Sequence, residues 1–229
     1  MMITFKRPDG KDCAAFYVEP AAGNRASAVV VIQEWWGLND QIKGVANRLA
    51  KAGYRALVPD LYRGKVGLDA KEAEHLMTNL NFADAATQDI RGAVQHLKQT
   101  SPKVGITGFC MGGALTVLAA VNVPESDGAV AWYGCPPLDY VDASKIKAPL
   151  MGHWAIHDAY FPLEQIEGLE EKLKKAKVNH EFHRYEAKHA FANETPHDAS
   201  VAAEYNEAAA KAAWDRTMAF FKKHIATGH

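Results

Sequence analysis

One segment constrains the fold of this chain more than any other: residues 108–113, which read GFCMGG. They lie between an apolar run typical of a buried strand (104–107) and an apolar helical stretch (114–121). The glycines around Cys110 suit a sharp strand-to-helix turn that leaves no room for a Cβ. Such a turn exposes the cysteine and points the first helical amides toward it, which favours a thiolate. The alternative is that Cys110 is a small buried hydrophobe.

The bulk composition is typical of one globular domain. A chain of 229 residues, 48% apolar and 23% charged, is long enough to bury a full core, so we expect a single domain over residues 1–229. The formal net charge of −1 gives no electrostatic footprint for nucleic acid or for an anionic membrane. No linker or internal repeat divides the sequence.

The cysteines and the first residues of the sequence indicate the cellular compartment in which we expect the protein. Cys13, Cys110 and Cys135 cannot all pair, and they show neither a disulfide framework nor a zinc-ligand spacing. The beginning of the chain has no apolar core followed by a cleavage site, so we expect no signal peptide and a cytoplasmic protein without a metal. Residues 104–124 carry no charge and match the length of a membrane span. Their glycines favour a buried strand that turns into a buried helix.

Apolar strand-like runs alternate with helical patterns, which predicts an α/β fold with a mostly parallel sheet flanked by helices. Strands are predicted over residues 14–19, 28–33, 55–59, 103–107, 128–133, 149–154 and 181–185. Helices are predicted over residues 41–52, 84–99, 111–120, 163–176 and 199–224. A loop, 186–196, precedes the final helix, and the irregular region 62–82 is a candidate cap. In such sheets, ligands bind beyond the carboxyl ends of the strands.

Two residues that a reactive cysteine needs follow later strands. Asp158 comes after the sixth predicted strand, where a carboxylate can orient an imidazole; the alternative is that it caps the next helix. His189 follows the last strand, where it can take the thiol proton and later assist water. His153 and His157 are the competing histidines. The order Cys110, Asp158, His189 selects His189, because it is the nucleophile–acid–base order of α/β-hydrolases.

The loop after the second predicted strand is the remaining element of the candidate site. In α/β-hydrolases this loop supplies one of two oxyanion-hole amides, which assigns the pair of donors to the backbone N–H groups of Trp35 and Met111. Glu34 is unusual at the end of an apolar strand. It is either a surface carboxylate or a charge held near the thiol that affects its protonation.

With these residues placed, the chain closely resembles the dienelactone hydrolase family. The resemblance covers nearly the whole length and rests on QEWWG at 33–37, PDLY at 59–62, GFCMGG at 108–113, DAYFP at 158–162, HAF at 189–191 and the helical residues 212–221. It implies a single α/β-hydrolase domain, monomeric and without a cofactor. Cys110, Asp158 and His189 fall on the triad positions. Glu34 falls on a glutamate that moves on substrate binding and helps to generate the thiolate.

Two departures from the family pattern concern the substrate. Well-studied members bind a substrate carboxylate with two arginines. The position four residues after the triad histidine holds Asn193 here, and the other position aligns with Lys71 in a shortened segment. Trp36 and Tyr62 complete the expected substrate-binding residues. The resemblance therefore implies hydrolase chemistry more strongly than it implies a dienelactone substrate.

The sequence as a whole predicts a cysteine-dependent hydrolase of small lactones or activated esters that acts through a thioester intermediate. Two alternatives stay open. One is a catalytically silent α/β-hydrolase scaffold that acts as a binding protein. The other is a thiol redox protein that uses Cys110, although the sequence has no Cys-x-x-Cys pair.

Overall fold

The computed structural model describes residues 1–195 and 198–226. Within them, one sheet contains the strands β1 (Met2–Lys6), β2 (Asp12–Val18), β3 (Ala28–Ile32), β4 (Arg55–Pro59), β5 (Val104–Phe109), β6 (Gly128–Trp132), β7 (Leu150–Ala155) and β8 (His180–Tyr185). The helices are α1 (Asp40–Lys51), α2 (Ala70–Thr78), α3 (Phe82–Asp84), α4 (Arg91–Lys98), α5 (Met111–Asn122), α6 (Leu163–Lys175) and α7 (Glu207–His224). A π-helical segment, Ala85–Ile90, joins α3 to α4.

The order of the strands in the sheet is β1-β2-β4-β3-β5-β6-β7-β8. β1 and β2 run antiparallel at one edge, and the strands from β4 to β8 are parallel. Every residue of the central strands β3, β5 and β6 is buried, because helices cover both faces of the sheet. The predicted fold class, a mostly parallel α/β sheet flanked by helices, is confirmed.

The alternation of side chains along β3 shows how the two faces are covered. Val29 and Val31 belong to a core cluster that includes apolar residues of α1 and α7. Val30 and Ile32 point the other way, into a cluster that includes residues of α4 and α5. α6 joins a third cluster through Ile166, next to the other end of α5. α5 is therefore buried along nearly its whole length, which explains its continuous apolar sequence.

Several predicted boundaries differ from the structure. β1 was not predicted, since only Phe5 of its five residues is buried. The last helix begins at Glu207 rather than at residue 199, because residues before it extend along the loop of His189 and form a bridge through Ala203. The candidate cap 62–82 contains α2. Of the predicted loop 186–196, Pro196 lies outside the described residues.

The charge-free residues 104–124 form β5, the elbow turn and α5. The described residues include no helix long and apolar enough to cross a membrane.

The elbow glycines give the first testable prediction. A Cβ at Gly108 would lie 2.1 Å from the carbonyl oxygen of Gly112, so we expect Gly108→Ala to lower the free energy of unfolding by at least about 3 kcal/mol. Gly44, inside α1, has open space where a Cβ would stand. Gly44→Ala is the matched control and should raise stability by about 0.5–1 kcal/mol. Urea unfolding measures both, and a Gly108 variant as stable as wild type would contradict the packing argument.

Candidate active site

The candidate site lies where the strand order of the sheet reverses. β3 leads to β4 on one side, whereas β5 leads to β6 on the other, so the carboxyl ends of β3 and β5 open a crevice. Glu34 and Trp35 follow β3, and Cys110 follows β5. The topology therefore brings the two predicted loops together although about 75 residues separate them along the chain.

Cys110 occupies a strained backbone conformation, with φ at +59° and ψ at −117°. Non-glycine residues rarely adopt positive φ, and hydrogen bonds hold the turn in place. The Cys110 N–H donates to the carbonyl oxygen of Trp132 at 2.9 Å, and the Cys110 carbonyl accepts from Gly113 at 2.9 Å. A Cβ at Gly134 would lie 1.8 Å from that same carbonyl. Close backbone packing on all sides thus fixes the direction of the thiol.

A hydrogen-bonded chain joins the cysteine to a histidine and a carboxylate. The distance from Cys110 Sγ to His189 Nε2 is 3.0 Å, and the distance from His189 Nδ1 to Asp158 Oδ2 is 2.8 Å. His189 and Asp158 are buried, whereas Cys110 is partly exposed. The structure brings these three predicted residues together, with the thiol at the solvent-accessible end.

The loop that carries Asp158 holds its carboxylate from the other side. Asp158 Oδ1 accepts hydrogen bonds from the backbone N–H groups of Tyr160 and Phe161 at 2.8 and 3.0 Å. The helix that follows, α6, has Pro162 at its N-cap and no side-chain cap. Asp158 thus closes a turn before α6 rather than capping it, and its second oxygen is left for His189.

The electrostatics of the site favour a charged imidazole. Burial alone would lower the pKa of His189, but the charge of a Cys110 thiolate and the hydrogen bond to Asp158 raise it well above its ordinary value. The raised pKa of His189 favours its protonated form, in which Nδ1 is held by Asp158 and Nε2 faces Cys110 Sγ.

Glu34 is buried and hydrogen-bonded, and so is not the surface carboxylate that the sequence allowed. Burial raises its pKa to about 7, opposed by the charge of His189 and by a hydrogen bond from Asn193. Asn193 Nδ2 donates to Glu34 Oε2 at 3.1 Å, and Asn193 Oδ1 accepts from the backbone of Thr195 at 2.9 Å. The structure thus places Asn193 against Glu34 and its own loop.

A cavity of about 1140 Å³ opens over the thiol. Of the four expected substrate-binding residues, Trp36 and Lys71 line it, whereas Asn193 and Tyr62 are not in its wall. Tyr62 is buried, and its hydroxyl donates to Met111 Sδ at 3.4 Å. Tyr62 therefore supports the first residue of α5 from below the cavity surface.

The two predicted oxyanion donors lie on the loops that meet at the crevice. Trp35 and Met111 both line the cavity beside Cys110. Within the described ranges, neither backbone N–H donates a hydrogen bond to another protein group. Gly112 makes their approach possible, because a Cβ there would lie 2.4 Å from the carbonyl oxygen of Ile32, two residues before Glu34.

The competing histidines have other partners. His153 is buried, with Nδ1 at 2.9 Å from the Tyr185 hydroxyl and Nε2 at 2.8 Å from Thr217 Oγ1; burial holds its pKa well below the usual value. His157 is exposed and pairs with Glu186. Both nitrogens of the buried His153 are occupied, which marks it as a core histidine.

Sequence analysis missed the aromatic residues that surround His189. The ring of Tyr133 lies edge-on to His189 at 5.3 Å between centroids, and Tyr160 contacts it at 4.9 Å. Tyr133 has a φ of +37° directly after β6. Tyr133 could have been recognised from the sequence, because it lies at the carboxyl end of a predicted central strand, next to Gly134.

An eight-stranded, mostly parallel sheet with this loop arrangement is the fold of an α/β-hydrolase. The family model described as "Dienelactone hydrolase family" matches residues 13–225. The chain is 34% identical over 235 residues to "Protein usf" of Aquifex pyrophilus, covering 98% of each. It therefore belongs to the dienelactone hydrolase family and is a hydrolase of that family.

Two further comparisons agree with this assignment. The chain is 32% identical over 241 residues to the "Putative carboxymethylenebutenolidase" of Salmonella typhi, covering 97% of this chain and 87% of that protein. It is also similar to a crystal structure described as a "Putative Dienelactone Hydrolase" from Klebsiella pneumoniae, with a TM-score of 0.81 and 28% identity over 97% of this chain and 98% of that one.

The raised pKa of Glu34 predicts a dependence of stability on pH. A carboxyl that titrates near 7 when folded and near 4.5 when unfolded binds more protons in the folded state between those values. Ionisation of Glu34 should therefore lower the free energy of unfolding of wild type by on the order of 3 kcal/mol as the pH rises through this window. Glu34→Gln cannot ionise, so its stability relative to wild type should increase from about pH 5 to about pH 8.

Urea unfolding at the two pH values measures this difference. Glu171→Gln is the matched control, because Glu171 is exposed on α6 and its relative stability should stay constant. A Glu34→Gln difference that is equally constant would show that Glu34 titrates normally.

Proposed function

We propose that this protein is a cysteine-dependent hydrolase of lactones or activated esters and that it acts through a thioester intermediate. The observation that carries the proposal is the chain from Cys110 Sγ through His189 to Asp158, at 3.0 and 2.8 Å. It ends on a thiol that lines a large cavity. Nucleophile, base and orienting acid are the parts that acyl transfer requires.

In the acylation step, the Cys110 thiolate attacks the substrate carbonyl, and a C–S bond forms. The carbonyl oxygen becomes an oxyanion, for which the N–H groups of Trp35 and Met111 are available donors. Met111 is the first residue of α5, so the positive end of the helix dipole supports the same charge. The C–O bond then breaks, and the proton held by His189 goes to the leaving alkoxide.

In the deacylation step, water attacks the thioester while His189 takes one of its protons. The C–S bond breaks, the acid is released, and the proton returns to the Cys110–His189 pair. Asp158 keeps Nδ1 protonated, so that Nε2 faces the thiol and the water throughout. A lactone leaves its alcohol tethered to the acid, so the product is a single hydroxy acid or its keto tautomer.

The two alternatives have less support. A silent scaffold has no need for the strained cysteine or for a histidine hydrogen-bonded to both neighbours. A redox thiol needs a reactive partner, but burial raises the pKa of both Cys13 and Cys135 to about 12.

Replacement of the nucleophile separates these alternatives. With p-nitrophenyl acetate, Cys110→Ala should lose turnover by roughly four to six orders of magnitude while remaining folded. Cys13→Ala, the matched control, should stay active. Wild type mixed rapidly with substrate should show one acetyl group on Cys110 by mass spectrometry and should then turn over. A scaffold would do neither, a redox thiol would acylate without turnover, and an active Cys110→Ala would contradict the proposal.

The histidines provide a second test. His189→Ala should lower kcat/KM by at least about a thousandfold, because members of a triad act as a unit. His157→Ala is the control, since His157 is exposed and bonded to Glu186, and kcat/KM should change by no more than about twofold. A folded His157 variant as inactive as the His189 variant would require a different base.

A further inference from the structure

The cavity extends far beyond the reacting atoms. Met111, Ala114, Leu118 and Asn122 line it in turn along one face of α5. These residues span eleven helical steps, so the cavity runs about 16 Å along the helix from its start beside the thiol. A small lactone bound at Cys110 would occupy only its first part.

The walls of this extension, which we call the α5 groove, are apolar. Other parts of its wall are Met77 on α2, Phe82 on α3 and Ala86 in the π-helical segment. Pro137 and Tyr140 form part of another side. Short side chains, such as Ala86 and Ala114, leave the space open. The groove and Cys110 belong to the wall of the same cavity, so a substrate can occupy the groove while its carbonyl lies at the thiol.

The charges on the cavity wall do not select an anion. Lys71 and Glu74 both line it from α2 and carry opposite charges. Among the residues described, no arginine is part of the wall. Asn193 is hydrogen-bonded to Glu34 rather than turned to the cavity. A substrate carboxylate would therefore find no bidentate partner to offset its loss of water.

We propose that the α5 groove binds an apolar arm of the substrate, and that the substrates are neutral esters or lactones carrying a chain of about eight carbons or more. The inference rests on the proposed function, because it assigns the substrate class of the same site. The cavity, at about 1140 Å³, is larger than most sites for small ligands. Its apolar walls make favourable dispersion contacts only when an apolar group fills the space between them. An extended chain advances about 1.2 Å per bond, so eight carbons cover about the first half of the span along α5 and about fourteen would fill it.

A series of p-nitrophenyl esters from acetate to decanoate tests the proposal, since all share one leaving group. Each fully buried methylene contributes up to about fourfold in kcat/KM. Because the groove is partly open to solvent, we expect octanoate to exceed butanoate by at least about tenfold. A second series of lactones with alkyl side chains of increasing length distinguishes an acyl arm from one on the alcohol carbon.

Substitutions along the groove should change the length profile. Leu118→Trp, in the middle of the groove, should lower the octanoate-to-acetate ratio of kcat/KM by at least about tenfold. Asn122→Trp, at its far end, should lower the decanoate-to-hexanoate ratio instead. Thr78→Trp is the matched control, because Thr78 is exposed on α2 and is not in the cavity wall, so both ratios should stay at wild-type values. Thermal unfolding checks that each variant is folded.

The results separate this inference from the proposed function. Cys110-dependent turnover with a flat length profile, or a profile that Leu118→Trp leaves unchanged, overturns the α5 groove as the arm site and leaves the function standing. If no ester is turned over, binding of methyl decanoate and methyl acetate to Cys110→Ala, followed by tryptophan fluorescence, still tests the groove. Tighter binding of the decanoate supports it, and equal binding overturns it.

Discussion

The close contact between the start of α5 and the ends of β3 and β6 is the constraint on which the rest of the site depends. At Gly112 a Cβ would meet the carbonyl of Ile32, and at Gly113 it would meet that of Trp132 at 2.5 Å. Without those side chains, α5 approaches both strands closely enough to force Cys110 to a positive φ. The same approach brings the Met111 and Trp35 amides to one crevice. The same packing therefore determines the position of Cys110 and the positions of the two amides that we propose as oxyanion donors.

The pKa shifts of His189 and Glu34 depend on the groups and the burial that surround this contact. The neighbouring Cys110 and Asp158 raise the pKa of His189, and burial raises the pKa of Glu34 to about 7. Two buried groups with pKa values shifted by different causes are typical of acid–base sites. Asn193 supplies Glu34 with a neutral donor, and the charge of His189 opposes the rise of the Glu34 pKa.

The sequence revealed the parts of the structure that local pattern determines. Continuous apolar runs predicted the central parallel strands β3, β5 and β6, and the glycine pattern predicted the elbow, because each reflects burial or backbone contact at that position. β1 was not predicted, because four of its five residues are not fully buried and an edge strand of this kind shows no apolar run. The alanine-rich residues after 199 suggested a helix, but pairing near Ala203 holds them extended. The Asn193–Glu34 bond joins residues 159 apart, which no local pattern encodes.

The reaction and the binding of the substrate arm depend on the structure to different degrees. The proposed proton transfer between Cys110 and His189, with His189 oriented by Asp158, depends on distances near 3 Å, and a shift of about 1 Å can cost a hundredfold in rate. Binding in an apolar groove requires only enough volume. Each methylene that is no longer buried there lowers kcat/KM by about fourfold. The elbow that carries Cys110 is fixed by backbone contacts, whereas the cavity walls are side chains of α2, of the π-helical segment and of α5. Membership of the family therefore constrains the reaction more tightly than it constrains the substrate.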